Sequence, residues 1–224
     1  MTPGTLTVAS VLRRQRRLGG KPLLICDAER LSYADADTGS SALAATLISL
    51  GVGKGTHVGL LYPNGPDFVI GMLAAARIGA VVVPFSTFST AAELRRQLID
   101  ADVAVLLSTR SFRSHDYVAR LGEALAPPGT APVLRHLLFD GDTDSGDPSL
   151  VTRMEDDVDG SDVLSVIYTS GSTSIPKRVV HTHASLLGHQ RALNEIRRLT
   201  EAGRLFCNSP FFWIGGFAFG LLAT

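Results

Sequence analysis

Residues 57–85 read HVGLLYPNGPDFVIGMLAAARIGAVVVPF. The apolar run from His57 to Tyr62 stops at PNGPD, whose prolines and Asn-Gly pair mark a sharp connection. Asp67 stands where it can cap the helical segment FVIGMLAAARIG, which closes on Gly79, and AVVVPF opens a second apolar run. Strand, helix and strand in so short a span make a βαβ unit, whose two strands lie parallel. The pattern continues in both directions. Upstream, the apolar PLLICD precedes a helical pattern from Tyr33 to Leu50, with Leu43, Leu47 and Leu50 on one face, broken by Gly51, Gly53 and Gly55. Downstream, Thr90 and Glu93 form a T-x-x-E capping box at the head of AAELRRQLIDA; VAVLLST follows as a strand and residues 114–125 as a helix. Strands beginning near 57, 80 and 103 are near-continuous Val/Leu runs, as buried parallel strands are. The fold class is α/β, a parallel sheet wrapped by helices, with ligands expected beyond the carboxyl ends of the strands.

Composition narrows the function classes. With 224 residues, 45% apolar and 19% charged, the chain can build a real core. Its formal net charge is zero, so no global electrostatic footprint points to nucleic acid or an anionic membrane. The run Arg13, Arg14, Arg16, Arg17 reads as the solvated face of a helix whose other face carries Val8, Val11, Leu12 and Leu18. Cys26 and Cys207, both in predicted strands, suggest neither a disulfide framework nor a zinc site and fit a reducing, cytoplasmic setting. PLLIC is too short for a secretory signal, and neither Val69–Phe85 nor Phe211–Thr224 reads as a membrane span.

Three regions follow: a first α/β subdomain over 1–125, a connector over 126–162, and the start of a second subdomain over 163–224. The connector is rich in Pro, Gly and Asp, contains one predicted strand, VLRHLLF, and carries nine acidic side chains between Asp140 and Asp162. Its D-G-D-T-D run is not a calcium loop, since Ser145 replaces the turn glycine and Val151 replaces the bidentate glutamate. A solvated acidic connector is the expectation.

Residues 168–183 read YTSGSTSIPKRVVHTH, between the strand VLSVIYT and a helix beginning at ASLLGHQRALNEIRRL. Thr169, Ser170, Gly171, Ser172 and Thr173 offer hydroxyl and backbone N–H donors with little bulk, and Lys177 adds a positive charge, which suits phosphate oxygens. Composition alone also allows an ordinary polar turn between two strands. A Walker loop is excluded, because Lys177 follows Pro176 and precedes Arg178. GVGKGT at 51–56 fails the same test, and no G-x-G-x-x-G is present. His181 and His183 lack a third ligand of suitable spacing, so a structural role is favoured over a metal site.

This stretch resembles the phosphate-loop signature of the AMP-forming adenylating enzymes, [YF]-T-S-G-[ST]-T-G-x-P-K-G. Tyr168 through Thr173, Pro176 and Lys177 match it. RIGAVVVPFSTFSTAAELRRQL, NSPFFWIGGF and LSYADADTGSSALAATLISLGVGKGTHVGLL are similar to other family segments, in the same order. The resemblance implies the large N-terminal domain of an acyl-CoA synthetase of fatty-acid–CoA ligase type. Such an enzyme joins a small carboxylate, here a fatty acid, to the α-phosphate of ATP before transfer to CoA. Lys177 would be catalytic, and Thr169, Ser170, Gly171, Ser172 and Thr173 would hold phosphates carrying Mg2+. Trp213 would close the acyl tunnel, with plain core filling as its structural alternative. Gly215 and Gly216 would let backbone approach the acyl chain, or merely allow close packing.

Two departures lie inside the motif: Ser174 and Arg178 stand where the family carries glycine. A serine forced to positive φ costs about 1–2 kcal/mol. Arg178 either adds a phosphate contact or displaces Lys177. The family's later parts, namely a magnesium-binding acid, a ribose-binding aspartate, a hinge and a small domain with a second lysine, are not located. The sequence is therefore expected to be an N-terminal part, either an enzyme fragment or a nucleotide- or acyl-binding remnant without turnover. Its exposed apolar surface would suit a complementary C-terminal chain.

Overall fold

The computed structural model describes residues 6–139, 146–169 and 176–223. Helix α1 (Val8–Gln15) leads through a 3-10 turn to the hairpin β1 (Pro22–Cys26) and β2 (Glu29–Ser32), then α2 (Tyr33–Ser49). The alternating unit follows as β3 (His57–Leu61), α3 (Pro66–Arg77), β4 (Val81–Pro84), α4 (Ala91–Asp100) and β5 (Val105–Ser108). Two short strands, β6 (Ser111–Phe112) and β7 (His115–Asp116), precede α5 (Tyr117–Ala124), β8 (His136–Phe139) and α6 (Pro148–Asp157). The hairpin β9 (Val163–Thr169) and β10 (Lys177–Thr182) runs into α7 (His183–Arg197).

Six strands form one sheet in the order β10-β9-β4-β3-β5-β8. All neighbours pair parallel except β9 and β10, which are antiparallel. The α/β expectation holds, with one antiparallel edge strand. The centre of the sheet is tight. A Cβ on Gly59 would lie 2.7 Å from the Phe85 ring and 2.8 Å from Leu106, so β3 needs glycine there. One face of the sheet is covered by α2, α3 and α7 around Leu47, Phe68, Met72, Leu164 and Leu186. The other is covered by α4 and α5 around Phe85, Leu94, Leu98, Leu106 and Tyr117.

Local signals explain most boundaries. The Thr90–Glu93 capping box forms, the Glu93 carboxylate accepting from the Thr90 N–H at 2.8 Å. Gly79 ends α3 at φ +73°, which an L side chain would strain. Asp67 is not the cap of α3. Pro66, with its preset φ and missing N–H, starts the helix one residue earlier with Gly65 as cap, and Asp67 sits in the first turn near the positive helix end. Residues around Cys207 do not form the expected strand. The described part of the connector contains a helix that its composition does not suggest, because Asp147 caps and Pro148 begins α6. The D-G-D-T-D run lies outside the described residues.

Helix α6 brings Glu155 to a buried guanidinium. Arg77, on α3, is 1% exposed and Glu155 is 5% exposed. Arg77 Nε donates to Glu155 Oε1 at 2.6 Å, and Nη2 also reaches this carboxylate. Nη1 donates to the Asp37 carbonyl and to Ser40 Oγ, each at 2.9 Å, and Nη2 to Asp37 Oδ1 at 3.0 Å. All the N–H donors of the guanidinium are used, and α2, α3 and α6 meet on one side chain. Arg13 and Arg16 close the network from outside, through Glu155 and Asp37. The N-terminal arginine run is exposed, as a solvated face should be, and Arg13, Arg16 and Arg17 also carry ion pairs.

Removing one partner leaves an uncompensated charge in the core. Glu155→Ala is expected to lower unfolding free energy by about 3–5 kcal/mol in urea titrations. An Arg77→Met, Glu155→Leu double variant is expected to recover much of that loss.

Candidate functional site

The parallel strands β3, β4, β5 and β9 end at the same sheet edge. There β3 leads to α3 on one face, while β4 and β5 lead to α4 and α5 on the other. Such an edge leaves a crevice where ligands settle. Three described connections meet it, the PNGP turn after β3, residues 85–90 after β4 and residues 109–110 after β5, and β9 ends there at Thr169.

The hairpin presents its two cations to opposite faces. Thr169 pairs with Lys177 and Tyr168 with Arg178. Side chains alternate along a strand, so Arg178 shares the face of Tyr168 and Lys177 that of Thr169. Tyr168 stacks on Phe85 at 6.4 Å and donates its hydroxyl to Asp100 Oδ2 at 2.8 Å. Burial first, then Asp100, holds this phenol well above its ordinary pKa. Arg178 pairs with the same Asp100, Nε to Oδ2 at 3.2 Å. Lys177 is exposed, and among the described residues it has no acidic partner. Thr169 Oγ1 donates to the Lys177 carbonyl at 3.4 Å. Ser170, Gly171, Ser172, Thr173 and Ser174 lie outside the described residues.

An aromatic group stands at the same edge. Trp213 is 49% exposed. Its ring meets buried Phe212 at 5.3 Å, and Phe212 meets exposed Phe88, in the connection after β4, at 6.0 Å. Sequence reading missed the residue that fixes this group. Asn64, in the PNGP turn, donates Nδ2 to the Ser209 carbonyl at 3.1 Å and accepts from Phe211 N–H at 2.7 Å. Those two bonds replace strand pairing as the anchor of residues 208–211. The turn spelling gave a signal for a bend but none for its distant partner. Gly215 and Gly216 approach this same segment: a Cβ on Gly216 would lie 2.1 Å from the Pro210 carbonyl oxygen, and one on Gly215 3.0 Å from Ser209 Oγ. Close chain packing accounts for both.

A family profile described as AMP-binding enzyme matches residues 11–224. The chain belongs to the AMP-binding enzymes. It is 33% identical to 4-coumarate–CoA ligase 3 of Oryza sativa over 178 residues, covering 78% of this chain and 31% of that one. It is also 33% identical to the long-chain-fatty-acid–CoA ligase FadD13 of Mycobacterium tuberculosis over 166 residues, 70% of this chain and 30% of that one. The fold matches the anthranilate CoA ligase AuaEII, solved with anthranoyl-AMP, at a TM-score of 0.79 and 21% identity, over 97% of this chain and 42% of that one. The chain spans between 30% and 44% of the length of such curated relatives.

For this AMP-binding chain, other candidate groups fall away from the edge. His183 is 0% exposed, and its Nδ1 accepts from the Val8 N–H at 3.1 Å, tying α7 to α1. Among the described residues no three His, Cys, Asp or Glu side chains group to hold a metal. Burial, followed by weaker charge effects, pushes the His183 pKa down to about 4. A protonated Nδ1 would also confront the Val8 N–H donor. A cavity of about 1310 Å³ opens between β1, α7 and residues 199–207, and its lining does not include Lys177, Thr169 or Trp213. Cys26 and Cys207 are free thiols, and no described helix is long and apolar enough to cross a membrane.

Asn64→Ala is expected to free residues 208–213, lowering stability by about 1–3 kcal/mol. Trp213, the single tryptophan, reports it directly through a red-shifted emission. His183 gives a pH signature. The unfolded ring protonates near its ordinary pKa of about 6.5 and the folded ring only near 4, so the unfolded state binds more protons between them. Stability is fully present above pH 6.5 and falls by up to about 3 kcal/mol as pH drops toward 4. Urea titrations across that window read the slope, and His183→Asn removes this residue's part of it.

Proposed function

We propose that the chain carries the nucleotide-phosphate side of an AMP-forming acyl-CoA ligase acting on a carboxylic acid of the fatty-acid class. The observation that carries this reading is Lys177: a cation with no acidic partner among the described residues, at the mouth of a hydroxyl-rich connection on the carboxyl edge of a parallel sheet. Two anions must meet for adenylation. A carboxylate oxygen attacks the α-phosphorus of ATP, the bond from that phosphorus to the bridging oxygen breaks, and pyrophosphate leaves. Lys177 with Thr169, Ser170, Gly171, Ser172 and Thr173 would hold the β and γ phosphates and offset the charge on the leaving group. The exposed Lys177 and hydroxyl donors fit a triphosphate better than a bare cation, so Mg2+ would arrive on phosphate oxygens with part of its water shell. When bound, it supplies further charge neutralisation. CoA is the acceptor in this reading, its thiol displacing AMP from the acyl carbonyl.

Trp213, Phe212 and Phe88 form the apolar wall against which the acyl group would lie, with Gly215 behind them. The proposal includes a complementary chain as well. Val180 on β10, Ile196 on α7 and Phe206 remain exposed, Phe206 at 88%, and it is these large apolar side chains that such a chain would cover. The location that suits these substrates is the cytoplasm.

Carboxylate-dependent exchange of labelled pyrophosphate into ATP tests the reaction. Exchange by the unmodified chain, lost by 100-fold or so in Lys177→Ala, is the expected result, in line with removal of one charge-stabilising group. At ATP about tenfold above its Kd, the melting temperature is expected to rise by about 3 °C, and not in that variant. A shift without exchange supports a binding module without turnover. Absence of both overturns the reading.

A further inference from the structure

We infer that Arg178 is a positioning residue: it latches the phosphate hairpin onto the C-terminus of α4 and leaves Lys177 alone to meet the ligand. The inference rests on the phosphate-binding reading of the hairpin and says what its most conspicuous departure from the family motif does. A bulky cation beside Lys177 would either join the phosphates or crowd the lysine. The geometry supports neither. Arg178 lies on the Tyr168 face, with its Nε on Asp100 Oδ2 at 3.2 Å and its Nη1 donating to the Asp100 backbone carbonyl.

That carbonyl is one of the four a helix end leaves without an internal donor. The other three have backbone partners: Ala101 N–H reaches Gln97 O, Val103 N–H reaches Leu98 O, and Asp102 N–H reaches Ile99 O. Asp100 also places a carboxylate at the negative end of the helix dipole, an unfavourable site that a neighbouring cation corrects. Arg178 meets both needs with one guanidinium. Tyr168, paired with it across the hairpin, adds hydroxyl contacts to Asp100 Oδ2 at 2.8 Å and Gln97 O at 3.2 Å. Both strands of the hairpin are therefore fixed to α4 close to Thr169 and Lys177, where β9 ends and β10 begins. Alternation then turns Lys177 to the opposite face. A glycine at 178 would supply no such tie.

The test compares the full chain with Arg178→Ala, Asp100→Ala, the double variant and Arg178→Lys. Hydrogen exchange without nucleotide is followed by mass spectrometry in peptides covering 163–182. Each alanine variant is expected to speed exchange there by about three- to fivefold, the scale of one exposed ion pair at a helix end. The double variant goes no further than the singles, and Arg178→Lys recovers most of the protection. The Kd for ATP rises by a similar factor in both alanine variants, while binding of adenosine is unchanged. Unchanged exchange in Arg178→Ala overturns the latch. Loss of ATP affinity in Arg178→Ala but not in Asp100→Ala also overturns it, since that pattern marks a direct phosphate contact. If the unmodified chain fails to bind ATP, the phosphate reading falls, and the exchange comparison still decides the latch by itself.

Discussion

A guanidinium buried in the helical layer must find an acceptor for every donor or the helices around it cannot close. Arg77 does so with Glu155, Asp37 and Ser40, drawn from two helices other than its own. Helix α3 connects β3 to β4, the paired strands at the centre of the sheet, so this anchoring fixes the helix that joins them. The connections at the carboxyl edge are built on that frame. The PNGP turn leads directly into α3, and its Asn64 places residues 208–211 and, through them, Trp213.

The edge has a division of labour that follows from strand alternation. Facing α4, Tyr168, Arg178 and Asp100 make contacts that fix the hairpin. Thr169 and Lys177 share the other face, where the proposed ligand would meet them. Adjacent cations in a sequence look redundant, but on a strand they do different things. The buried His183 shows the same economy on the helical side, where a ring with its lone pair on the Val8 N–H joins α7 to α1.

Much of the fold was legible because its signals are local. Near-continuous apolar runs marked β3, β4 and β5, and the Thr90–Glu93 box and Gly79 set helix ends. The β9–β10 hairpin was legible by its two strands, and its spelling marked the family. Long-range pairing was not. Nothing near Glu155 announces a partner 78 residues away, and an acidic run naturally reads as solvated. Helix α6 did carry a start signal, Asp147 followed by Pro148, masked by the Pro/Gly/Asp-rich sequence before it. The role of Arg178 was undecidable from the motif, since the face it occupies depends on the register with β9.

The central claim is that Lys177 and its hairpin meet the outer phosphates of ATP. Phosphorus NMR of ATP with magnesium, titrated with the chain, tests it most directly. Selective broadening and shift of the β and γ resonances, absent with Lys177→Gln, is the predicted result. Equal spectra for the two proteins, or changes that leave the β and γ resonances untouched, would contradict it.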